Sequence, residues 1–390
     1  MKMVERRRVH RGVGFYIGTR LEVAIGRNPP LLSTPARLYL DHAATTPVLP
    51  QARAAMDDAL AAWANPSSPH ADGRKARAAL EEARRTIAGA LGWRHDVIFT
   101  SGASEAIEIV ASRIKVARRI VGPTEHDAVA AAMGADAHVL PVDCNGLVSI
   151  DALTAALEAG PALVGIQMVN NETGVIQPIE RIRALVADAG SLLLVDCAQA
   201  AGKIDLPDAD FIAISGHKFG GPPGAGALLV RDLGALAPSG GQERGYRRGT
   251  ENLPAAAGMA AALATRAFRD AMPRLESLRE LLEREIIAAG GLVIAADAPR
   301  IATIGAYSMP GIESAAQLVK LDLAGISVSA GSACSSGSMK PSRVLGAMGV
   351  GKELAGSVIR VSFGPSTDES DIARFLGEWR AIAGRAKAAA

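Results

Sequence analysis

The chain has 390 residues, 49% of them hydrophobic, enough apolar material for a sizeable core and too much for global disorder. At roughly 100–200 residues per domain, such a length suggests two or three domains, or one large lobe with a smaller one. A net charge of +2 and an aromatic content of 4% give no grounds for nucleic acid or a membrane surface as the main partner.

The first segment, residues 1–37, carries Lys2 and a run of arginines against only Glu5 and Glu22. An Arg-rich, acid-poor leader can be a transit peptide, but no apolar signal region or cleavage site follows, so a disordered extension is the expectation. Ser33-Thr34-Pro35 reads as a linker, and order is expected from Leu38. Amphipathic helices are predicted over Leu49–Ala64 and Gly73–Leu91.

Strands and helices then alternate. Strands are predicted at Val97–Thr100, Arg119–Gly122, Ala137–Val142, Leu163–Val169 and Leu192–Val195. The helices between them are Ser104–Val116, Asp127–Met133, Ile150–Ala159 and Ile179–Ala189. Phe211–Ser215 and Gly226–Val230 are further strands. This order implies an α/β fold with a mainly parallel sheet sandwiched by helices, its functional loops at the carboxyl ends of the strands. After residue 252 the character changes. A long helix is predicted over Leu253–Ala289, broken near Pro273, then strands at Leu292–Ile294, Ile301–Ser308 and Val358–Ser362 and helices at Ser314–Ala324 and from Glu369. The expected division is 1–37 as extension, 38–252 as large domain and 253–390 as a smaller α+β domain.

Lys218 ends an apolar strand and enters the turn Phe219-Gly220-Gly221-Pro222-Pro223-Gly224. A lysine in such a place can lose its proton and form a Schiff base; the rival reading is a surface lysine. Leu192–Val195 runs into Asp196, a carboxylate that needs a partner if buried. A pyridinium nitrogen would serve and would make the ring an electron sink, although helix capping is the alternative. Gln199, three residues on, could bond the ring oxygen. At Thr100-Ser101-Gly102-Ala103-Ser104-Glu105 a strand turns tightly into a helix, which suits either an anion or an ordinary capping box. His126 could stack on a flat ring or be structural. Arg360, inside an apolar strand, needs a carboxylate from substrate or from the protein. Cys334 lies in a Ser/Gly-rich segment with little to pack, whereas Cys144 and Cys197 look like filler. The three cysteines show neither a disulfide framework nor a metal spacing, and no metal is expected. Free thiols fit a reducing, cytoplasmic setting.

Taken in order, these pieces resemble the NifS/IscS group of cysteine desulfurases, within the class V aminotransferases of pyridoxal-phosphate fold type I. The resemblance runs from Tyr39 to the last helix. It rests on Leu40-Asp41-His42-Ala43-Ala44-Thr45-Thr46-Pro47, Asn65-Pro66-Ser67-Ser68, Thr124-Glu125-His126, Asn170-Asn171-Glu172-Thr173-Gly174, Asp196-Cys197-Ala198-Gln199, Ser215-Gly216-His217-Lys218, Arg248-Gly249-Thr250 and Ser332-Ala333-Cys334. It implies pyridoxal 5'-phosphate on Lys218, with Asp196 at the pyridine nitrogen, His126 on the ring, and Gln199 and Asn171 near the ring oxygen. Ala103, Ser104, Ser215 and His217 would hold the phosphate, and Thr250 would reach that of a neighbouring subunit in a homodimer. Asn171 and Arg360 would bind the carboxylate of L-cysteine. Cys334 would take its sulfur as a persulfide, leaving alanine, and pass it to an iron–sulfur scaffold or another sulfur carrier. Pro223 stands where that group usually has a basic residue. A selenocysteine lyase, a sulfinate desulfinase, an aminotransferase, or an idle protein that only docks sulfur carriers are the rival readings.

Overall fold

The computed structural model describes residues 37–330 and 341–389, with side chains to residue 384. Strand β1 (Leu38–Tyr39) is followed by helices α1 (Pro50–Ala62) and α2 (Ala71–Ala90). The sandwich then begins with β2 (Asp96–Thr100), α3 (Ala103–Arg113), β3 (Arg118–Val121), α4 (Asp127–Met133), β4 (His138–Val139) and α5 (Ile150–Leu157). It continues through β5 (Ala162–Gln167), α6 (Ile179–Asp188), β6 (Leu192–Asp196), β7 (Phe211–Ser215) and β8 (Gly226–Val230).

These strands form one sheet in the order β2-β8-β7-β6-β5-β3-β4. The block from β4 to β7 is parallel, while β8 runs antiparallel to both β7 and β2. The strands read as unbroken apolar runs because both faces are covered. Alternate residues go to opposite faces: Val97, Phe99, Leu193 and Val195 join one core cluster, Ile98 and Leu194 the other. The mainly parallel sheet is thus the one that the strand–helix alternation implies.

Past the sandwich come α7 (Leu253–Ala264), α8 (Ala267–Ala288), β9 (Leu292–Val293), β10 (Ile304–Ser308), α9 (Ser314–Leu323) and β11 (Ile326–Ser327). After the undescribed residues 331–340 follow α10 (Arg343–Ala347), α11 (Lys352–Gly356), β12 (Val358–Ser362) and α12 (Glu369–Ala389). A three-stranded antiparallel sheet, β12-β10-β9, is packed by α8 and α9, α12 packs on those two helices, and β1 pairs with β11 in parallel. Helices α1 and α2 pack on α7. No helix among the described residues is long and apolar enough to cross a membrane.

The break expected near Pro273 occurs earlier. Arg266 takes the left-handed conformation, φ 56°, and the Thr265 hydroxyl accepts a hydrogen bond from Ala267 N at 3.2 Å, starting α8 afresh. Pro273 is accommodated inside α8. The strand expected over Ala137–Val142 shrinks to two residues, and that over Ile301–Ser308 begins only at Ile304, because Ile301 N donates instead to Gly174 O. Helices α10 and α11 have no counterpart in the sequence reading.

Candidate active site

A cavity of about 420 Å³ opens at the carboxyl ends of the parallel strands, lined among others by His126, Asn171, Asp196, Gln199, Ser215 and Lys218. Parallel strands ending on one edge bring these side chains together from loops far apart in sequence. Asp196 ends β6, is 9% exposed, and accepts a hydrogen bond on Oδ1 from Ala198 N at 2.9 Å. Burial pushes its carboxyl above the usual range, against the Ala198 bond and the charges of His126 and Lys218. Lys218 closes a short 3₁₀ turn after β7 and donates to the carbonyls of Ala43 and Ala44 at 2.7 and 2.8 Å. Its amine is therefore held by the segment between β1 and α1.

His126 caps α4: its Nδ1 accepts from Ala128 N at 3.1 Å, which leaves the proton of the neutral ring on Nε2. His217 sits beside Thr45, with Nδ1 3.2 Å from the hydroxyl, and titrates near 4, lowered by burial and then by the charges of Lys218 and Lys203.

The start of α3 also lines the cavity, with Ser101, Gly102, Ala103 and Ser104 beside Ser215 and His217. The N-cap is Gly102 with no side-chain cap, so neither Ser101 nor Ser104 takes the capping role. Glu105 reaches back to Ser101 N and pairs with Arg247 at 2.8 Å. The N–H groups of Ala103 and Ser104, which lie in the first turn, therefore remain available to a ligand.

Two expected residues do not line this cavity. Thr250 is exposed in the loop before α7. Arg360, on β12, is 1% exposed; it donates from Nη1 to Asn171 O at 2.9 Å and from Nη2 to Asp41 Oδ1 at 2.8 Å. The Asn171 contact ties it to the cavity wall, and its Nε is buried with no acceptor. Cys334 lies outside the described residues. Cys197 is fully buried, and burial followed by the charge of Asp196 raises its thiol far above the ordinary range, as expected of packing filler.

Sequence reasoning missed several supporting residues. Gln167, the polar end of β5, donates to Thr124 O and Oγ1 at 2.7 and 3.0 Å and so fixes the turn that carries His126. Asn170 joins it on Thr124 O at 3.1 Å and accepts from Glu172 N and Thr173 N. Asp41 and Lys203 are the other two. A polar residue ending an apolar run was the available signal for Gln167; the partnership of Asp41 with a residue on β12 left none.

The chain matches the family model for aminotransferase class-V over residues 38–375. It is 38% identical to the IscS-like cysteine desulfurase of Mycobacterium tuberculosis over 90% of this chain and 98% of that protein. It is 37% identical to cysteine desulfurase IscS of Dictyoglomus turgidum over 87% and 91% respectively. Among solved structures, a NifS-like protein from Rickettsia africae superposes with a TM-score of 0.82 at 31% identity, covering 89% of this chain and 99% of that one. SspA, solved in complex with cysteine, superposes with a TM-score of 0.70 at 30% identity, covering 85% and 100%.

Proposed function

The chain belongs to the aminotransferase class-V family, and from that premise we propose that it is a cysteine desulfurase of the NifS/IscS group. It converts L-cysteine to L-alanine and passes the sulfur, through an enzyme persulfide, to an acceptor protein such as an iron–sulfur scaffold. The observation that carries this reading is that Lys218, Asp196 and a helix start without a side-chain cap line one cavity.

That donor set fits pyridoxal 5'-phosphate. A buried carboxylate matches a protonated ring nitrogen, a lysine matches an aldehyde, and free helix N–H groups match a phosphate. When bound, the cofactor supplies a sink for the electron pair left when the substrate loses its α-proton. Ala103, Ser104, Ser215 and His217 would hold the phosphate, with Thr250 contributed by the second subunit of a homodimer. Asp196 would keep the ring nitrogen protonated, His126 would lie on the ring face, and Gln199 and Asn171 would face the ring oxygen. Lys218 would hold the aldehyde carbon and would carry the α-proton between substrate carbons. Arg360 and Asn171 would hold the substrate carboxylate.

Cys334 acts as the soft nucleophile. Its thiolate attacks the sulfur of the substrate; the C–S bond breaks, an S–S bond forms, and the carbon takes a proton to become the methyl group of alanine. A thiol reductant, or the acceptor, then removes the outer sulfur. Such an enzyme belongs in the cytoplasm, where thiols stay reduced. The test is incubation with L-cysteine and dithiothreitol. Equal amounts of alanine and sulfide, with an added sulfur on Cys334 by mass spectrometry, are expected; alanine without any sulfur on Cys334 would contradict the route.

A further inference from the structure

Lys203 follows the Asp196–Gln199 turn and is 2% exposed. Its Nζ donates to Gln199 Oε1 at 3.4 Å and lies over the Phe268 ring, 5.1 Å from the centroid. No carboxylate of the described residues pairs with it. A buried ammonium without an anion is costly, which makes a purely structural role a poor explanation.

On the reading above, we propose that Lys203 is a positioning residue for the cofactor site: it fixes the Gln199 amide as a donor toward the cavity and favours the uncharged amine of Lys218. The first half follows from donor inventory. An ammonium only donates, so the amide oxygen must face Lys203 and the NH₂ must face the other way. Gln199 Nε2 indeed donates to Ala43 O at 2.9 Å, which leaves its second hydrogen for the cavity that Gln199 lines. A flipped amide would set NH₂ against ammonium.

The second half follows from the shared carbonyl. Ala43 O also accepts from Lys218 Nζ at 2.7 Å, so the two lysines meet through one short chain of hydrogen bonds. Burial, and then the charge of Lys218, hold Lys203 at about 7, far below an ordinary lysine. Of the titratable groups around the pair, His126 acts with Lys218 on Asp196, while His42 and His217 add no positive charge at neutral pH. His42 and His217 both titrate near 4, lowered first by burial, with Lys203 contributing to each. Among the described residues the Asp196 carboxylate couples to Lys218 and not to Lys203. The site therefore accommodates one positive charge more readily than two.

The test is a pH titration of the visible absorbance of the bound cofactor, with thermal melts to verify folding. Lys203→Met removes the repulsion and frees the amide, so the protonated form should persist to higher pH. We expect the midpoint to rise by about one unit, a ~10-fold change in the dissociation constant. Lys203→Arg keeps donor and charge and should return the midpoint toward that of the wild type. An unmoved midpoint in Lys203→Met, or an Arg variant shifted as far as the Met variant, would overturn the proposal. Should Lys203→Met not fold, Lys203→Gln keeps an N–H and loses the charge; its midpoint must still rise. A wild-type protein with no visible band at all would sink the cofactor reading instead.

Discussion

The strand-end cavity and the β12 region hold their charged groups in opposite ways. In the cavity, Lys218 and Asp196 are fixed by backbone groups, Ala43 O, Ala44 O and Ala198 N, and both side chains still line the open space. On β12, Arg360 is more deeply buried and already engaged by a carboxylate, Asp41. Backbone partners position a side chain and leave it on the cavity wall, whereas the carboxylate partner of Arg360 also occupies its charge. The first region is thus ready for chemistry as it stands, and the second must exchange or share a partner before it can hold a substrate carboxylate.

The sharpest way to break this comparison is at Lys218. Lys218→Ala should abolish the visible band and reduce alanine formation by roughly 10³-fold, within the range for loss of a proton-transferring group. Borohydride reduction of the loaded wild type, followed by peptide mass spectrometry, should place the cofactor on Lys218. Its appearance on Lys203, the buried lysine held at about 7, would invert the assignment of the two. Next in size, Cys334→Ser should bring sulfide and persulfide to background while the cavity still exchanges the α-hydrogen of cysteine with deuterated water. Full desulfurase activity without Cys334 would favour a selenocysteine lyase or sulfinate desulfinase.

The same contrast explains what was legible in the sequence. Strand-end residues announce themselves: Asp196, Gln199 and Lys218 each interrupt or follow an apolar run, and a parallel sheet converges such positions on one edge. The sandwich was readable for the same reason, since strands buried on both faces are continuous apolar segments. Arg360 was visible as a charge within a strand, but its partner was not, because Asp41 lies 319 residues away in sequence. The break between α7 and α8 was misplaced because Pro273 is an obvious breaker, while a left-handed Arg266 has no compositional mark. Lys203 was hidden in an unremarkable Ala-Gly-Lys turn, and only burial distinguishes it.

Arg360→Gln tests the second region with a smaller expected effect. Loss of a charge-assisted pair should raise KM for cysteine about tenfold to a hundredfold, with kcat less affected. A large fall in kcat with KM unchanged would mean that Arg360 supports the Asn171 wall rather than the substrate.

The finest test is Asp41→Asn. Asparagine keeps an oxygen acceptor for Nη2 but removes the charge that competes with a substrate carboxylate. The Asp41 side chain is 20% exposed, so the competing pair is partly screened and its effect modest. If Arg360 must exchange partners, KM for cysteine should fall by about threefold, corresponding to ~0.6 kcal/mol. A rise of the same size would mean that Asp41 is a strut that aims the guanidinium. In that case the substrate carboxylate would have to use the buried Nε, which has no acceptor, and the two regions would differ in geometry rather than in readiness.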